Sequence, residues 1–121
     1  MKGAIAGLAV LVAMLTACSP SGYSVQARNN MQQPVELRVQ AAKKDSARTV
    51  ESVQVGPGQN VTFHTKAERD EKVSLEARVV GDEASPPSVY RMLVGLSRVV
   101  IGPNPEAGKD GQPRVRVRED R

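Results

Sequence analysis

The chain has no tryptophan, one cysteine, one histidine and only three aromatic residues, Tyr23, Phe63 and Tyr90. Each shortage excludes something. A single cysteine rules out an intramolecular disulfide framework, and with one histidine it leaves too few soft ligands for a closed zinc site. Three aromatics are too few for a platform on which the bases of single-stranded nucleic acid could stack. Gly-rich phosphate loops, Cys-x-x-Cys pairs and dinucleotide fingerprints are also missing. Gly56-Pro57-Gly58 is no substitute, because proline lacks the amide donor that a phosphate cradle needs. No metal or cofactor is expected on these grounds, and 121 residues make one domain rather than two.

What is present begins with an uncharged apolar run. Lys2 and the terminal amine supply positive charge, and residues 4–17 follow without a charged side chain. The run of 14 residues is shorter than the roughly 20 that a helix needs to cross a bilayer, and suits the core of a signal peptide. It ends in Leu15-Thr16-Ala17-Cys18, followed by Ser19-Pro20-Ser21-Gly22. This segment resembles the lipobox of bacterial lipoproteins.

The resemblance covers residues 1–18 and implies a chemistry that suits these residue types. A thiolate is readily alkylated near neutral pH, and small residues before it let an extended backbone enter an intramembrane protease. Leu15, Thr16 and Ala17 would be the peptidase recognition residues, residues 1–17 would be removed, and Cys18 would carry a diacylglycerol and an acylated amine. Two or three acyl chains anchor stably where one holds marginally. Residues 18–22 would be a short tether and 23–121 the domain. Ser19, where an inner-membrane lipoprotein often has Asp, favours the outer membrane of an organism that has one. Partners would then be the membrane and an envelope protein, not nucleic acid. The alternative, a secreted protein with Cys18 as a free thiol, would leave an odd cysteine in an oxidising compartment.

The remaining residues read as strands. Val35, Leu37, Val39 and Ala41 alternate with Glu36, Arg38 and Gln40, and Val73, Leu75, Ala77 and Val79 alternate with Ser74, Glu76 and Arg78. Tyr23–Ala27, Val61–Thr65 and Val115–Val117 show the same period. Val50 is out of phase with Val53 and Val55, which predicts a bulge near Glu51-Ser52. Tyr90–Val94 and Leu96–Ile101 are apolar runs of the kind found in central strands, with a bend at Gly95. Asn29-Asn30 predicts a turn with positive φ, and Gly56-Pro57-Gly58-Gln59 a type II turn. Seven or eight such strands without a long helix imply an all-β fold: a single antiparallel β-sandwich, immunoglobulin-like in outline, with a small open barrel as the alternative. The immunoglobulin cysteine pair and core tryptophan are absent.

Catalytic chemistry has little to stand on. His64 falls on a polar face between inward Phe63 and Thr65, and no nucleophile elbow accompanies it. Glu68, Asp70 and Glu71 interleave with Arg69 and Lys72, which reads as a solvated charged turn and not a calcium loop. Arg114, Arg116 and Arg118 form a period-two ladder, which two readings fit. It meets an anionic lipid headgroup, lipopolysaccharide or acidic partner, or it guards an edge strand beside acids such as Glu36 or Glu76. The sequence therefore predicts a non-enzymatic, membrane-anchored lipoprotein for protein contact or envelope structure, with anion binding as the alternative.

Overall fold

Small β-branched and aliphatic side chains at every second position fill one face of a pleated ribbon, and here they build eight strands. The computed structural model describes residues 21–120, so Leu15, Thr16, Ala17 and Cys18, and with them the expected signal segment and lipidation site, lie outside the described residues. The strands are β1 (Ser21–Asn29), β2 (Val35–Lys43), β3 (Ser46–Val55), β4 (Asn60–Ala67), β5 (Lys72–Val79), β6 (Ser88–Arg91), β7 (Gly95–Pro103) and β8 (Val115–Glu119). One sheet runs β4-β1-β7-β8 and the other β3-β2-β5-β6. Two separate sheets make a sandwich, not a closed barrel.

The topology departs from two expectations. β1 pairs with β7 in parallel, while the other neighbours are antiparallel. The immunoglobulin arrangement sends the third strand to the opposite sheet, whereas here β3 stays beside β2 as a hairpin. The chain also enters the sheet early: Ser21 and Gly22 pair with Ala67 and Lys66, so only residues 19 and 20 separate Cys18 from β1.

The core is aliphatic. Val25, Val35, Leu37, Val39, Leu75 and Ile101 are fully buried, and Phe63 is the one buried aromatic among the described residues. Each large aliphatic side chain buried in this way contributes about 1.5–3 kcal/mol. The register of β2 against β3 slips between Val39 and Gln40, where Glu51 and Thr49 are the respective partners. Val50 is thus the extra residue, one position before the expected bulge. Gly58 has a φ of 73° and Gln59 N donates to Gly56 O at 3.1 Å, as a type II turn with Pro57 at its second position requires.

Asn29 is not the turn residue its sequence suggests. No non-glycine described residue has positive φ, and Asn29 ends β1 fully buried. Its Nδ2 donates to Gln33 O and Val55 O, both at 2.9 Å, and its Oδ1 accepts from Met31 N at 2.8 Å. Its own amide donates to Gln59 O at 3.0 Å and its carbonyl accepts from Gly58 N at 2.7 Å. One residue thereby clasps the β1–β2 and β3–β4 links, its side chain holding the first and the end of β3 and its main chain the second, consistent with the rule that a buried amide must find partners.

A second clasp closes the opposite end, where the sequence suggested a solvated turn. Glu71 is buried and takes a bidentate pair from Arg48, Nε to Oε2 at 3.1 Å and Nη2 to Oε1 at 2.9 Å. Glu68 N also donates to Glu71 Oε1 at 2.9 Å. The Arg48 hydrogen bond, then the Glu68 amide, hold the Glu71 carboxyl down at about 2. Lys43 reaches Glu68 beside it.

Strand directions define two ends of the sandwich. At the proximal end lie the start of β1, the β2–β3 and β4–β5 turns, the β6–β7 link and the end of β8. The longer β5–β6 and β7–β8 loops lie at the distal end.

Candidate functional site

Strand parity decides what the outside of each sheet presents. In β1, Val25 and Ala27 face inward, so Ser24, Gln26 and Arg28 face out. The same parity turns out Asn60, Thr62, His64 and Lys66 on β4, Leu96, Arg98 and Val100 on β7, and Arg116 and Arg118 on β8. Register then sets the rows. Val100 is flanked by Arg28 on one side and Arg118 on the other, and Gln26 faces Thr62 and Arg98. With strands about 4.8 Å apart and alternate residues about 6.7 Å apart, Arg28 and Arg118 are about 10 Å from each other, and Arg98 about 8 Å from both.

This outer face is basic. Arg28, Arg98, Arg116, Arg118 and Lys66 are exposed on it, with Asp120 as the one acid that the parity brings there. Among the described residues, the four arginines enter no ion pair. A shallow trough of about 350 Å³, lined by Gln26, Arg28, Asn60, Thr62, Arg98 and Asp120, crosses the face. Guanidiniums offer fixed forks of N–H donors, and the amides and hydroxyl around them add neutral hydrogen-bonding groups. Such a surface suits carboxylate or phosphate oxygens.

The other sheet is different. On its central strands Glu36 faces Arg78 and Arg38 faces Glu76, and Arg38 pairs with Glu36 at 2.9 Å. Opposite charges alternate there and offset one another. Glu36 and Glu76 therefore sit on the far side of the molecule from the arginine ladder and cannot be its cross-strand partners.

The ladder itself is rearranged. Arg114 precedes β8, and its Nη1 donates to Asp82 Oδ2 at 3.1 Å. That bond is the main cause holding the Asp82 carboxyl below its ordinary range. Arg114 thus ties the β7–β8 loop to the β5–β6 loop, while Arg116 and Arg118 remain on the open face. Arg28 and Arg98 join them, and sequence reading missed both. Each lies alone in its strand; the antiparallel pairing of β7 with β8 sets Arg98 beside the ladder, and the parallel pairing of β1 with β7 adds Arg28.

His64 is exposed, and its Nδ1 is in hydrogen-bond contact with Ser24 Oγ at 2.8 Å. Its neighbour is thus a hydroxyl, and the row continues to Leu96. A serine beside an imidazole is half of a nucleophilic arrangement; among the described residues no orienting acid is hydrogen-bonded to the His64 ring. The described residues also hold no group of three or more His, Cys, Asp and Glu able to bind a metal ion.

Two further features mark the proximal end. Tyr90, on the inner side of β6, donates from its hydroxyl to Glu119 Oε1 of β8 at 2.9 Å, joining two edge strands of opposite sheets. Burial, then this bond, push the Tyr90 phenol above its ordinary value. Next to it the chain exposes large apolar side chains: Val89 at 61%, Leu93 at 66%, Val94 at 65% and Leu96 at 55%. The apolar run that read as a central strand ends its pairing at Arg91. Met92 turns into the core, and Leu93 and Val94 leave the sheet. No protein-family model matches the chain, and comparison with curated proteins finds no relative.

Proposed function

We propose that the protein is a bacterial envelope lipoprotein, fastened to a membrane through Cys18, whose sandwich is a non-catalytic contact module. Its basic sheet face takes a polyanionic partner: an envelope protein with an acidic surface, or another anionic envelope molecule. The observation that carries the binding half is the convergence of Arg28, Arg98, Arg116 and Arg118 from three strands onto one face. Edge protection explains charge on β8, which is an edge strand. It does not explain Arg28 and Arg98, because β1 and β7 are interior strands whose ladders are already paired on both sides.

The height of the face favours a partner that stands off the lipid. Arg98 is about 7 Å beyond Leu96 along β7, and Gly102, the neighbour of Arg116, about 20 Å beyond it. A leaflet touching the proximal end would leave most of the arginines above the headgroups.

The test uses full-length protein purified from membranes and held in phosphatidylcholine vesicles, titrated with a poly-glutamate peptide and with polyphosphate. Binding should weaken steeply with salt and be abolished by R28Q/R98Q/R116Q/R118Q in a chain that keeps its β-sheet circular dichroism. Unchanged binding by that variant would remove the basic face as the contact surface. Membrane attachment is tested separately by Cys18→Ala, which should leave the precursor uncleaved or the protein unattached.

A further inference from the structure

Exposed apolar residues on a small domain need a reason when they cluster, and Leu93, Val94 and Leu96 cluster at one place. Leu96 is the cross-strand neighbour of Ser24, and Gly95 of Tyr23. The link that precedes Gly95 therefore continues past Tyr23 toward the start of β1. Its other end is fixed by Met92 N, which donates to Val73 O at 2.9 Å at the start of β5. Both anchorages put Leu93 and Val94 at the proximal end. From Leu96 the apolar surface continues to a hollow lined by Leu93, Val94, Ser97 and Arg98 against Glu119 and Asp120.

The sequence places the anchor beside this tip. With only residues 19 and 20 between Cys18 and β1, the sulfur is within about 11 Å of Ser21 at full extension. A chain lipidated there cannot hold its proximal end away from the leaflet. Exposed Lys66, next to Gly22, and exposed Lys72, Arg91 and Arg98 surround the tip. Of the acids at this end, Glu71 is paired with Arg48 and Glu68 and Asp70 share Lys43, while Glu119 accepts from the neutral Tyr90 phenol and keeps its charge. Asp45 and Asp120 remain without such a pairing among the described residues. An apolar tip inside a rim that carries more cations than acids is the pattern of a segment that lies in the boundary between headgroups and acyl chains.

We infer that Leu93, Val94 and Leu96 form a membrane-inserting tip that docks the proximal end of the sandwich into the leaflet holding Cys18, with the strands upright, Arg98 at headgroup level and Arg28, Arg116 and Arg118 clear of the lipid. The inference rests on the lipoprotein reading and adds an orientation to it.

Because the chain has no tryptophan, one introduced at a time is an unambiguous reporter. L93W and L96W would be compared with Q112W, which sits in the exposed distal loop. Each full-length variant is purified from membranes and reconstituted into phosphatidylethanolamine–phosphatidylglycerol vesicles with acyl chains brominated near the headgroup. Emission from L93W and L96W should be blue-shifted and quenched about twofold or more by brominated lipid, with Q112W unaffected, as interfacial burial of an apolar side chain requires. Unquenched L93W and L96W in protein that floats with the vesicles would overturn the tip and leave the anchor standing. A blue shift that appears without lipid and grows with protein concentration would overturn it in favour of a second copy covering the tip. Protein that does not float at all would remove the anchor reading and this inference with it.

Discussion

Replacing Asn29 by alanine removes a single amide, yet the fold is expected to lose a large part of its stability. Three hydrogen bonds disappear, and they serve groups from two places: Gln33 O and Met31 N in the β1–β2 link, and Val55 O at the end of β3. Asn29 is fully buried and so is its bond to Val55 O, which water cannot replace without opening the distal end, while the bonds to Gln33 O and Met31 N are part-buried. Each stranded buried group costs about 1–3 kcal/mol. Allowing for partial relaxation, we expect Asn29→Ala to lose about 3 kcal/mol, which for a domain of this size lowers the thermal midpoint by roughly 15 °C. The assay is equilibrium urea unfolding followed by far-ultraviolet circular dichroism, with thermal melts alongside. Asn29→Asp sharpens it. That carboxylate would face the two carbonyl oxygens that Nδ2 now serves, so its folded pKa should lie above the ordinary value of about 3.9. A raised carboxyl pKa favours the fold at low pH, so stability should fall as pH rises through the folded value. Asn29→Asp should therefore regain stability on acidification, and Asn29→Ala should not. A loss below about 0.5 kcal/mol for Asn29→Ala, the range of an ordinary surface change, would refute the clasp.

Two further outcomes concern the interior. Glu71 is held down at about 2 against an ordinary 4.5, so its contribution is complete above the ordinary value and is lost as pH falls toward 2. The stability gap between the native chain and Arg48→Met should be full at pH 7 and narrow over that acid range; a gap constant with pH would show that the pair does not matter. Thr65 is buried with an Oγ1 that has no hydrogen-bond partner, so Thr65→Val should stabilise the protein by about 1 kcal/mol, measured by urea unfolding. A destabilised Thr65→Val would mean that the hydroxyl finds a partner in solution.

The fold was legible where one face of a strand is buried and the other wet. β2 and β5 carry strict alternation because each is an interior strand facing the core on one side, and their expected limits lie close to those observed. The Gly56–Gln59 turn was readable because proline and glycine fix its dihedral angles locally. What sequence could not show depends on pairing. Nothing in Gln26–Asn29 says that β1 runs parallel to β7, and that pairing alone brings Arg28 to Arg98 and Arg118. Arg114 looked like the first rung of a ladder because period two is blind to where a strand begins; Asp82 claims it from another loop. Asn29 looked like a turn former because asparagine favours turns, and only the fold reveals that its amide is a buried hub. Leu93 and Val94 read as strand because apolar runs carry no phase, and it is the sheet ending at Arg91 that exposes them.

The most direct measurement is the intact mass of the protein extracted from the membranes of cells that make it. The account predicts a chain that begins at Cys18 and bears acyl lipid on both the sulfur and the new amine. A chain with an unmodified Cys18 thiol, whether cleaved or not, would contradict it.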